Sequence, residues 1–541
     1  MKMIMALANV GDREKLKLAP IGILKLTELD AGHRLSTAEI NNAILEYHGS
    51  VALLQSKKHR EVILNALTER QARDLCRKLD LPTDDPWVRL TETKISRYSN
   101  LESSLFDWFE IPIDERQTKT VEQHDPDFSI LEPSNDPTLK HGLFPHQESA
   151  INRIRTFLDS EKPRALLHMP TGSGKTRTAM NFVCEVLNQN KSALVVWLAY
   201  NGELCSQAAQ EFQKAWFVHG NRDVFLQRFW GKHSIPDINK TGVIFAGLDK
   251  LWSKTRKNNA WLFNLSSKTS LLVFDEAHQA SARTYSTMTE VLLHDEAKLL
   301  GLSATPGRTY NDPESDEILS SMFFRQKVTL EVIGYASPID FLISKGYLSK
   351  TTFKQIYSTS AKIPEKALKE LQKGGELSAE SLDALSQDEL RNLLIVQNIR
   401  TLIKNGHSRI IVFANSVEHA KLLSTYMNLR TDITTHYITG ETPTSEREYW
   451  INRFKGVEIE PIVLFNYGVL TTGFDAPKTS AAIISRPTKS LVLYSQMVGR
   501  VIRGSKVNGT ANATVLTVID QNLPGFRDLS EAFTNWEDVW D

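Results

Sequence analysis

A glycine-rich segment gives the first indication of chemistry in this sequence. Residues 168–176 are His-Met-Pro-Thr-Gly-Ser-Gly-Lys-Thr, placed between the apolar run 165–167 and a helix-like segment, 177–187. Glycines let backbone N–H groups turn toward phosphate oxygens, and a following helix N-terminus adds a positive dipole end. The pattern predicts a phosphate-binding loop in which Lys175 contacts the β- and γ-phosphates and the Thr176 hydroxyl binds Mg²⁺.

The loop departs from the G-x-x-x-x-G-K-[ST] pattern at one position, where Met169 replaces the first glycine. The core of the loop is intact, so we expect a phosphate cradle with a different entry. A glycine turn can also arise by chance, and other segments have to support the interpretation. The residues predicted to surround the phosphates are Thr171, Gly172, Ser173, Gly174, Lys175 and Thr176.

Two carboxylates follow another apolar run. Residues 270–274 end in Asp275-Glu276-Ala277-His278. At a strand tip beside a nucleotide, Asp275 would hold Mg²⁺, usually through water, and Glu276 would orient and deprotonate the attacking water. The same dipeptide can lie in a solvated loop, but its position downstream of a phosphate loop favours the catalytic interpretation.

Two more segments carry candidate residues. The run 301–308 contains Ser303 and Thr305, whose hydroxyls could relay the nucleotide state through hydrogen bonds. A helix predicted over 491–502 places Arg500 and Arg503 at i and i+3 on one face. Such arginines can form an ordinary surface, or they can neutralise charge that develops at a γ-phosphate.

Buried strands separated by helices must position these residues. Apolar runs alternate with helical segments, which predicts an α/β fold with parallel sheets covered on both faces. The first group of predicted strands is 192–198, 242–246, 270–274 and 298–302. The second group is 409–413, 436–438, 461–465, 481–484 and 514–519, and a separate strand is predicted over 352–357 in a mixed region.

The domain organisation follows from composition along the chain. Residues 1–110 are predicted to be helical, with capping boxes at Ser36–Glu39 and Thr68–Gln71, and a further box at Ser386–Glu389 opens a later helix. The N-terminal apolar stripe is either simply a helical core or part of an accessory domain that contacts nucleic acid or a protein partner. Prolines and polar residues predict a linker over 111–142, followed by domains over 143–345 and 346–541.

Composition excludes several classes of protein. The 541 residues carry 64 basic and 64 acidic side chains, so net charge neither supports nor excludes a nucleic-acid partner. Three cysteines without a C-x-x-C pair argue against a zinc ribbon or a disulfide framework and favour a reducing, cytoplasmic setting. We find no signal peptide, and no apolar run is long enough to cross a membrane.

In their order, these segments resemble the motif series of superfamily 2 helicases and translocases of the DEAD/DEAH type, over about residues 143–537. The resemblance implies two tandem RecA-like domains, preceded here by an α-helical N-terminal domain, with ATP and Mg²⁺ as cofactors. The first domain would supply Lys175, Thr176, Asp275 and Glu276. The resemblance further implies roles for Gln147 at adenine, for Gly473 and Asp475 in nucleotide sensing, for His278, Ser303 and Thr305 in coupling, and for Gln496, Arg500 and Arg503 in catalysis.

The details of the resemblance favour DNA over RNA. Residues 303–308 and 471–477 look most like restriction-enzyme motor subunits and DNA-repair translocases. Tyr200 and Asn201 stand where a proline and a threonine are common, and Phe144 stands where a basic residue is frequent, which affects strand grip and base selectivity.

The sequence therefore predicts an ATP-dependent helicase or translocase that moves on nucleic acid, mainly DNA, with little sequence specificity. One alternative is an RNA helicase. The other is a nucleotide-switched ATPase subunit of a restriction or defence complex, with a protein partner bound through the N-terminal helical domain.

Overall fold

The computed structural model describes residues 2–116, 125–134, 136, 141–255, 259–277, 283–294, 297–304, 313–330, 332, 334–359, 377–456, 460–470, 476–488 and 490–523. The helices have the following bounds: α1 Lys2–Asn9, α2 Asp12–Leu18, α3 Ile21–Ala31, α4 Thr37–His48, α5 Ser50–Gln55, α6 Lys57–Asn65, α7 Glu69–Lys78, α8 Pro86–Glu92, α9 Asn100–Trp108, α10 Pro145–Leu158, α11 Lys175–Gln189, α12 Gly202–His219, α13 Leu248–Thr255, α14 Asn259–Lys268, α15 Arg283–Leu292, α16 Pro313–Met322, α17 Pro338–Ser344, α18 Ala379–Ser386, α19 Glu389–Lys404, α20 Val417–Arg430, α21 Thr444–Lys455 and α22 Leu491–Val498.

The strands also follow in chain order. Their bounds are β1 Phe128–Leu131, β2 Arg164–His168, β3 Leu194–Ala199, β4 Val224–Phe229, β5 Gly242–Gly247, β6 Thr269–Phe274, β7 Lys298–Ser303, β8 Lys327–Val328, β9 Lys350–Ser358, β10 Arg409–Phe413, β11 Thr434–Ile438, β12 Ile462–Asn466, β13 Ala481–Ile484 and β14 Asn512–Asp520. Within the described part of the chain, no helix is both long and apolar enough to cross a membrane.

The chain divides into two compact units, each built from separate stretches of sequence. The first unit comprises Met1–His124, Ser358–Lys369 and Ser378–Tyr467, and the second comprises Asp125–Tyr357, Glu370–Leu377 and Gly468–Asp541.

The second unit is organised around an eight-stranded sheet in the order β1-β4-β5-β3-β6-β7-β2-β8. Neighbouring strands from β4 to β8 are parallel, and β1 pairs antiparallel with β4 at the edge. The central strands are buried along their length, as expected for a parallel sheet covered on both faces. Strand β1 falls inside the segment predicted to be a linker.

The strand order brings the chemically interesting tips together. Strands β6, β7 and β2 are successive neighbours, and His168 at the end of β2 lies opposite Ser303 at the end of β7. Because parallel strands end at the same edge, the segments that follow β2, β6 and β7 share one rim of the sheet.

The remaining strands form two short groups. In the first unit the order is β11-β12-β10, and both pairs are parallel. In the second unit β13 pairs parallel with β14, and β9 lies beside β14. These elements confirm the predicted α/β class with a helical N-terminal stretch.

The N-terminal helices enclose their own apolar core, which includes Leu7, Ile63, Leu75 and Phe106. The predicted capping boxes at Ser36 and Thr68 are both present, with reciprocal bonds to Glu39 and Gln71.

The capping box predicted at Ser386–Glu389 is wrong. Ser386 is the last residue of α18, and its hydroxyl donates to the Leu382 carbonyl. Asp388 caps α19 instead, accepting from the Arg391 N–H at 2.8 Å.

Within the first unit, α3 and α4 pack against α19 and α20 through a polar cluster around Asp30. Its carboxylate accepts from Arg400 at 3.2–3.3 Å and from the Tyr426 hydroxyl. Burial opposes ionisation of Asp30, but these hydrogen bonds outweigh it and hold its pKa below the ordinary value. Nearby, Gly22 lies so close to α20 that a Cβ there would be 2.8 Å from Leu422 Cδ1.

Replacing Asp30 should therefore loosen the N-terminal helices. We expect Asp30→Ala to lower the free energy of unfolding by about 2–3 kcal/mol, because it leaves Arg400 and Tyr426 without their acceptor. Denaturant unfolding measures the effect. Asp84→Ala is the matched control, since the Asp84–Arg89 pair is solvent-exposed and should contribute little to stability. Equal effects of the two substitutions would contradict the structural role of Asp30.

A buried histidine joins three elements of the first unit. The Nδ1 atom of His419 accepts from the Asn415 N–H at 3.1 Å, so Nε2 carries the proton and donates to Asn392 Oδ1 at 2.9 Å. The Asn392 amide in turn donates to the Ser386 carbonyl. Burial, with a smaller effect from Arg391, holds the pKa of His419 well below its ordinary value, so the ring is neutral in the folded protein.

This neutral histidine makes stability depend on pH. Its contribution is present above the unfolded-state pKa of about 6.5 and is lost as the pH falls, because only the unfolded chain then gains the proton. We expect this residue to add about 1.4 kcal/mol of destabilisation per pH unit below that point. Denaturant unfolding at pH 7.5, 6.5 and 5.5 should show a steeper decline for the wild type than for His419→Gln. Parallel pH profiles would refute the assignment.

Candidate functional site

The phosphate loop connects β2 to α11 and depends on two glycines in the left-handed region. Gly172 has φ +87° and Gly174 has φ +92°. A Cβ on Gly174 would lie 2.2 Å from Gln147 Nε2. Gly172 therefore needs to be glycine mainly because of its conformation. Gly174 needs to be glycine both because of its conformation and because a Cβ would have no space.

Met169 explains how the loop tolerates its unusual entry. Its side chain is fully buried, and its backbone N–H donates to the Ser303 carbonyl at 3.2 Å. Its φ is not positive, so the conformation does not require glycine. The buried thioether lies beside the Thr178 hydroxyl of α11, and the backbone bond to Ser303 ties the loop to the tip of β7.

The two carboxylates lie directly after β6. The Asp275 N–H donates to the Leu198 carbonyl at 2.9 Å, and the Glu276 N–H donates to Asp275 Oδ1 at 3.0 Å. Glu276 has φ +54°, a conformation that costs a non-glycine residue about 1 kcal/mol or more. This turn redirects the chain immediately after the strand.

Charges of both signs surround Lys175. Burial lowers the pKa of the Lys175 ammonium; Glu276 and Asp275 oppose this effect, whereas Arg503 and Arg500 reinforce it. Burial raises the pKa of Asp275 to about 7, with Glu276 adding to the increase and Lys175 countering it. The site thus gathers three cations and two carboxylates, an arrangement suited to a polyanion bound together with a divalent cation.

The arginine segment touches the loop directly. Arg503 Nη1 donates to the Gly172 carbonyl at 2.9 Å. A Cβ on Gly499 would lie 2.0 Å from Thr171 Cγ2, so only glycine allows this approach. The predicted helix over 491–502 is too long: α22 ends at Val498, and Arg503 forms an antiparallel bridge with Leu348.

A clasp that no motif predicted holds this segment, and we define it as residues 346–350 paired with residues 502–511. The Ser349 N–H donates to the Ile502 carbonyl, and the buried Ser349 hydroxyl lies 2.7 Å from the Arg503 carbonyl and 2.6 Å from the Thr510 carbonyl. Because these bonds hold residues 502–511 against residues 346–350, the helix ends at Val498. Ser349 stands in a region without regular periodicity, so no sequence pattern could have indicated its role.

Other predicted residues have mixed placements. Ser303 is fully buried beside the loop entry, and Gln496 is half-buried on α22. Gln147, predicted to contact adenine, donates instead to the Ser173 and Gly174 carbonyls. Four predicted residues lie outside the described part of the chain: His278, Thr305, Gly473 and Asp475.

The donor set fits a nucleotide with Mg²⁺. Thr176 and Asp275 offer oxygen ligands at the rim, and Mg²⁺ commonly takes only one or two protein ligands alongside phosphates. Among the described residues, no group of three or more histidines, cysteines or carboxylates could hold a metal by itself. The two glycines leave the backbone open for phosphate oxygens.

This fold and site define the phosphate-loop class of nucleotide-binding α/β proteins. Residues 140–308 match the family model described as "Type III restriction enzyme, res subunit", and residues 388–505 match "Helicase conserved C-terminal domain". The chain belongs to superfamily 2 of helicases and translocases and is related to restriction-enzyme motor subunits.

Curated relatives agree with this membership. The chain is 25% identical over 372 residues to "Putative ATP-dependent helicase IRC3" of Saccharomyces cerevisiae, covering 66% of this chain and 49% of that protein. It is 23% identical to "Type I restriction enzyme EcoAI endonuclease subunit" of Escherichia coli, covering 72% and 46%. The chain therefore spans about half the length of these relatives.

Two further similarities follow. "DNA 3'-5' translocase XPB2" of Sulfurisphaera tokodaii is 23% identical, covering 63% of this chain and 75% of that protein. Among solved structures, "DUF1998 helicase MrfA bound to DNA" superposes with a TM-score of 0.50 and 16% identity, covering 75% of this chain and 53% of that one. At this identity, the structural likeness supports the fold alone.

The contact between Gly499 and Thr171 predicts that a larger residue at position 499 lowers activity. Alanine normally stabilises a helical position relative to glycine, but here its methyl group would collide with a stiff β-branched side chain of the loop. We expect Gly499→Ala to reduce ATP turnover at least tenfold, or about 1.4 kcal/mol of barrier. Gly11→Ala, which places its methyl group in open space, is the control. Unchanged steady-state turnover in Gly499→Ala would show that this contact is dispensable.

Proposed function

We propose that the chain is an ATP-dependent helicase or translocase that acts mainly on DNA. The observation that carries the proposal is the contact of Arg503 with the phosphate loop, beside Lys175 and the carboxylates that follow β6. A protein that only binds a nucleotide needs the loop; a hydrolase also needs a base and cations at the γ-phosphate.

The proposed roles follow the chemistry of each group. Lys175 and the loop N–H groups hold the phosphates, Thr176 and Asp275 hold Mg²⁺, and Glu276 orients and deprotonates the attacking water. Arg500 and Arg503 neutralise charge that develops at the γ-phosphate, and Gln496 supports that segment. Gly473 and Asp475 sense the nucleotide, and a separate set couples its state to movement: His278, Ser303 and Thr305.

The choice of DNA rests on relatives whose names specify a DNA translocase and restriction endonuclease subunits. Motors of this kind hold the sugar-phosphate backbone, so binding should be insensitive to sequence and weakened by salt.

Two alternatives keep the nucleotide site. The first alternative is an RNA helicase, and it is supported by a match of 28% identity over 201 residues to "ATP-dependent RNA helicase DRS1" of Candida glabrata. The restriction-subunit relatives keep a nucleotide-switched subunit under consideration, with a protein partner on the N-terminal helices.

Glu276→Gln should abolish the hydrolytic step with little change in shape. We expect its turnover to fall at least 10²-fold, because the general base is lost. Steady-state ATPase would be measured without nucleic acid and with single-stranded DNA, duplex DNA or RNA, at two salt concentrations. We expect one form of DNA to stimulate the wild type strongly, and less so at high salt.

Glu14→Gln serves as the control, since this glutamate pairs only with exposed Lys17 on α2 among the contacts described. Stimulation by RNA alone would favour the RNA helicase. Hydrolysis indifferent to every nucleic acid would reject the motor and favour the nucleotide-switched subunit.

A further inference from the structure

The clasp bonds the main chain of Arg503 on both sides of its Cα. The Ile502 carbonyl accepts from the Ser349 N–H at 3.0 Å, and the Gly504 N–H donates to the Tyr347 carbonyl at 3.0 Å. The Arg503 carbonyl lies 2.7 Å from the Ser349 hydroxyl, which donates to it. The peptide groups before and after Arg503 are therefore both fixed by the clasp.

Ser349 makes two of these three bonds. Its N–H and its hydroxyl reach the consecutive carbonyls of Ile502 and Arg503. The same hydroxyl lies 2.6 Å from the Thr510 carbonyl, and the Thr510 N–H donates to the Arg503 carbonyl at 2.9 Å. Ser349 thus joins the two ends of the turn between Arg503 and Thr510.

The Ser349 side chain lies inside the clasp. Ser349 is 1% exposed, so its hydroxyl acts through the residues that it bonds and not on a bound ligand. A Cβ at Gly509 would lie 2.0 Å from the Arg503 carbonyl oxygen, so the turn also packs closely against this carbonyl. Removing the hydroxyl would therefore loosen a segment whose position is otherwise set by close contacts.

The position of its main chain matters for an arginine that acts on a phosphate. The side chain has several rotatable bonds, so its reach is defined only where its Cα is fixed. A misplacement of about 1 Å in an active site can cost about 10²-fold in rate.

We infer that Ser349 is a positioning residue for Arg503, which raises the rate of ATP hydrolysis without contributing to the binding of ADP. This inference deepens the proposed function and rests on the role proposed there for Arg503 at the γ-phosphate.

Turnover and binding, both measured on the full chain, test the positioning role. We expect Ser349→Ala to lower kcat by about tenfold or more in the presence of the nucleic acid that stimulates the wild type most, because Arg503 is displaced. Isothermal titration calorimetry should give a dissociation constant for ADP with Mg²⁺ within about twofold of the wild type, since ADP lacks the γ-phosphate.

Ser386→Ala is the matched control for the loss of a buried hydroxyl. The Ser386 hydroxyl donates to the Leu382 carbonyl at 2.7 Å, in α18 of the first unit. Thermal unfolding verifies that both variants are folded, and only Ser349→Ala should lose turnover. Ser349→Cys, whose S–H is a weaker donor, replaces Ser349→Ala if the latter does not fold. Equal losses of turnover in the serine variant and the control would overturn the inference.

A double-mutant cycle with Arg503→Ala tests whether Ser349 acts through this arginine. Arg503→Ala alone should lower kcat by about 10³-fold. Adding Ser349→Ala to it should change kcat by less than about twofold, because the arginine that the serine positions is already absent.

The outcomes separate the inference from the function beneath it. Wild-type kcat in Ser349→Ala, or a further tenfold loss in the double variant, would overturn the inference and leave the proposed function in place. A wild-type protein that does not hydrolyse ATP with any nucleic acid would refute the proposed function, and the inference with it.

Discussion

The backbone of one short loop is the constraint on which the site depends. The Gly172 carbonyl accepts from Arg503, the Ser173 and Gly174 carbonyls accept from Gln147, and the Met169 N–H donates to Ser303. Because the C=O and N–H of one peptide unit point in opposite directions, the bonded Ser173 and Gly174 carbonyls hold the N–H groups of Gly174 and Lys175 toward the other side. The cradle is thus positioned by its neighbours as much as by its own glycines.

Charged side chains of both signs are concentrated beside this loop. Burying an ionised group is costly unless charges of opposite sign and hydrogen bonds compensate for it. Two carboxylates and two arginines act on Lys175 with opposite effects, and the lowered pKa of its ammonium reflects the cost of burial that remains. A bound polyphosphate would supply negative charge where the cations now repel each other. Binding of the ligand would therefore relieve this repulsion.

Local sequence predicted much of the sheets and their rim. Strands such as β10 and β13 have the predicted bounds, because continuous apolar runs specify buried parallel strands. Strand β4 was not predicted, since Gln227 and Arg228 interrupt its apolar run. Both are buried through specific bonds: Gln227 to the Asp237 carbonyl and Arg228 to the Pro126 carbonyl. The clasp, the early end of α22 and the contacts of Gln147 depend on residues distant in sequence, which periodicity cannot reveal.

The N-terminal helices restrict how a partner could be bound. The sides of α3 and α4 that carry Asp30 and Tyr47 are occupied by α19 and α20, where Tyr47 donates to Glu418 and Asp30 accepts from Arg400. A partner must therefore use other faces, such as α1, where Ile4 and Met5 are about half exposed. Because α3 and α4 are anchored to helices of the same unit by polar bonds, a partner held on the N-terminal helices would be connected to strands β10 to β12 through α19 and α20. Such a connection suits a motor subunit and a nucleotide-switched subunit equally, and hydrolysis in response to DNA is what separates them.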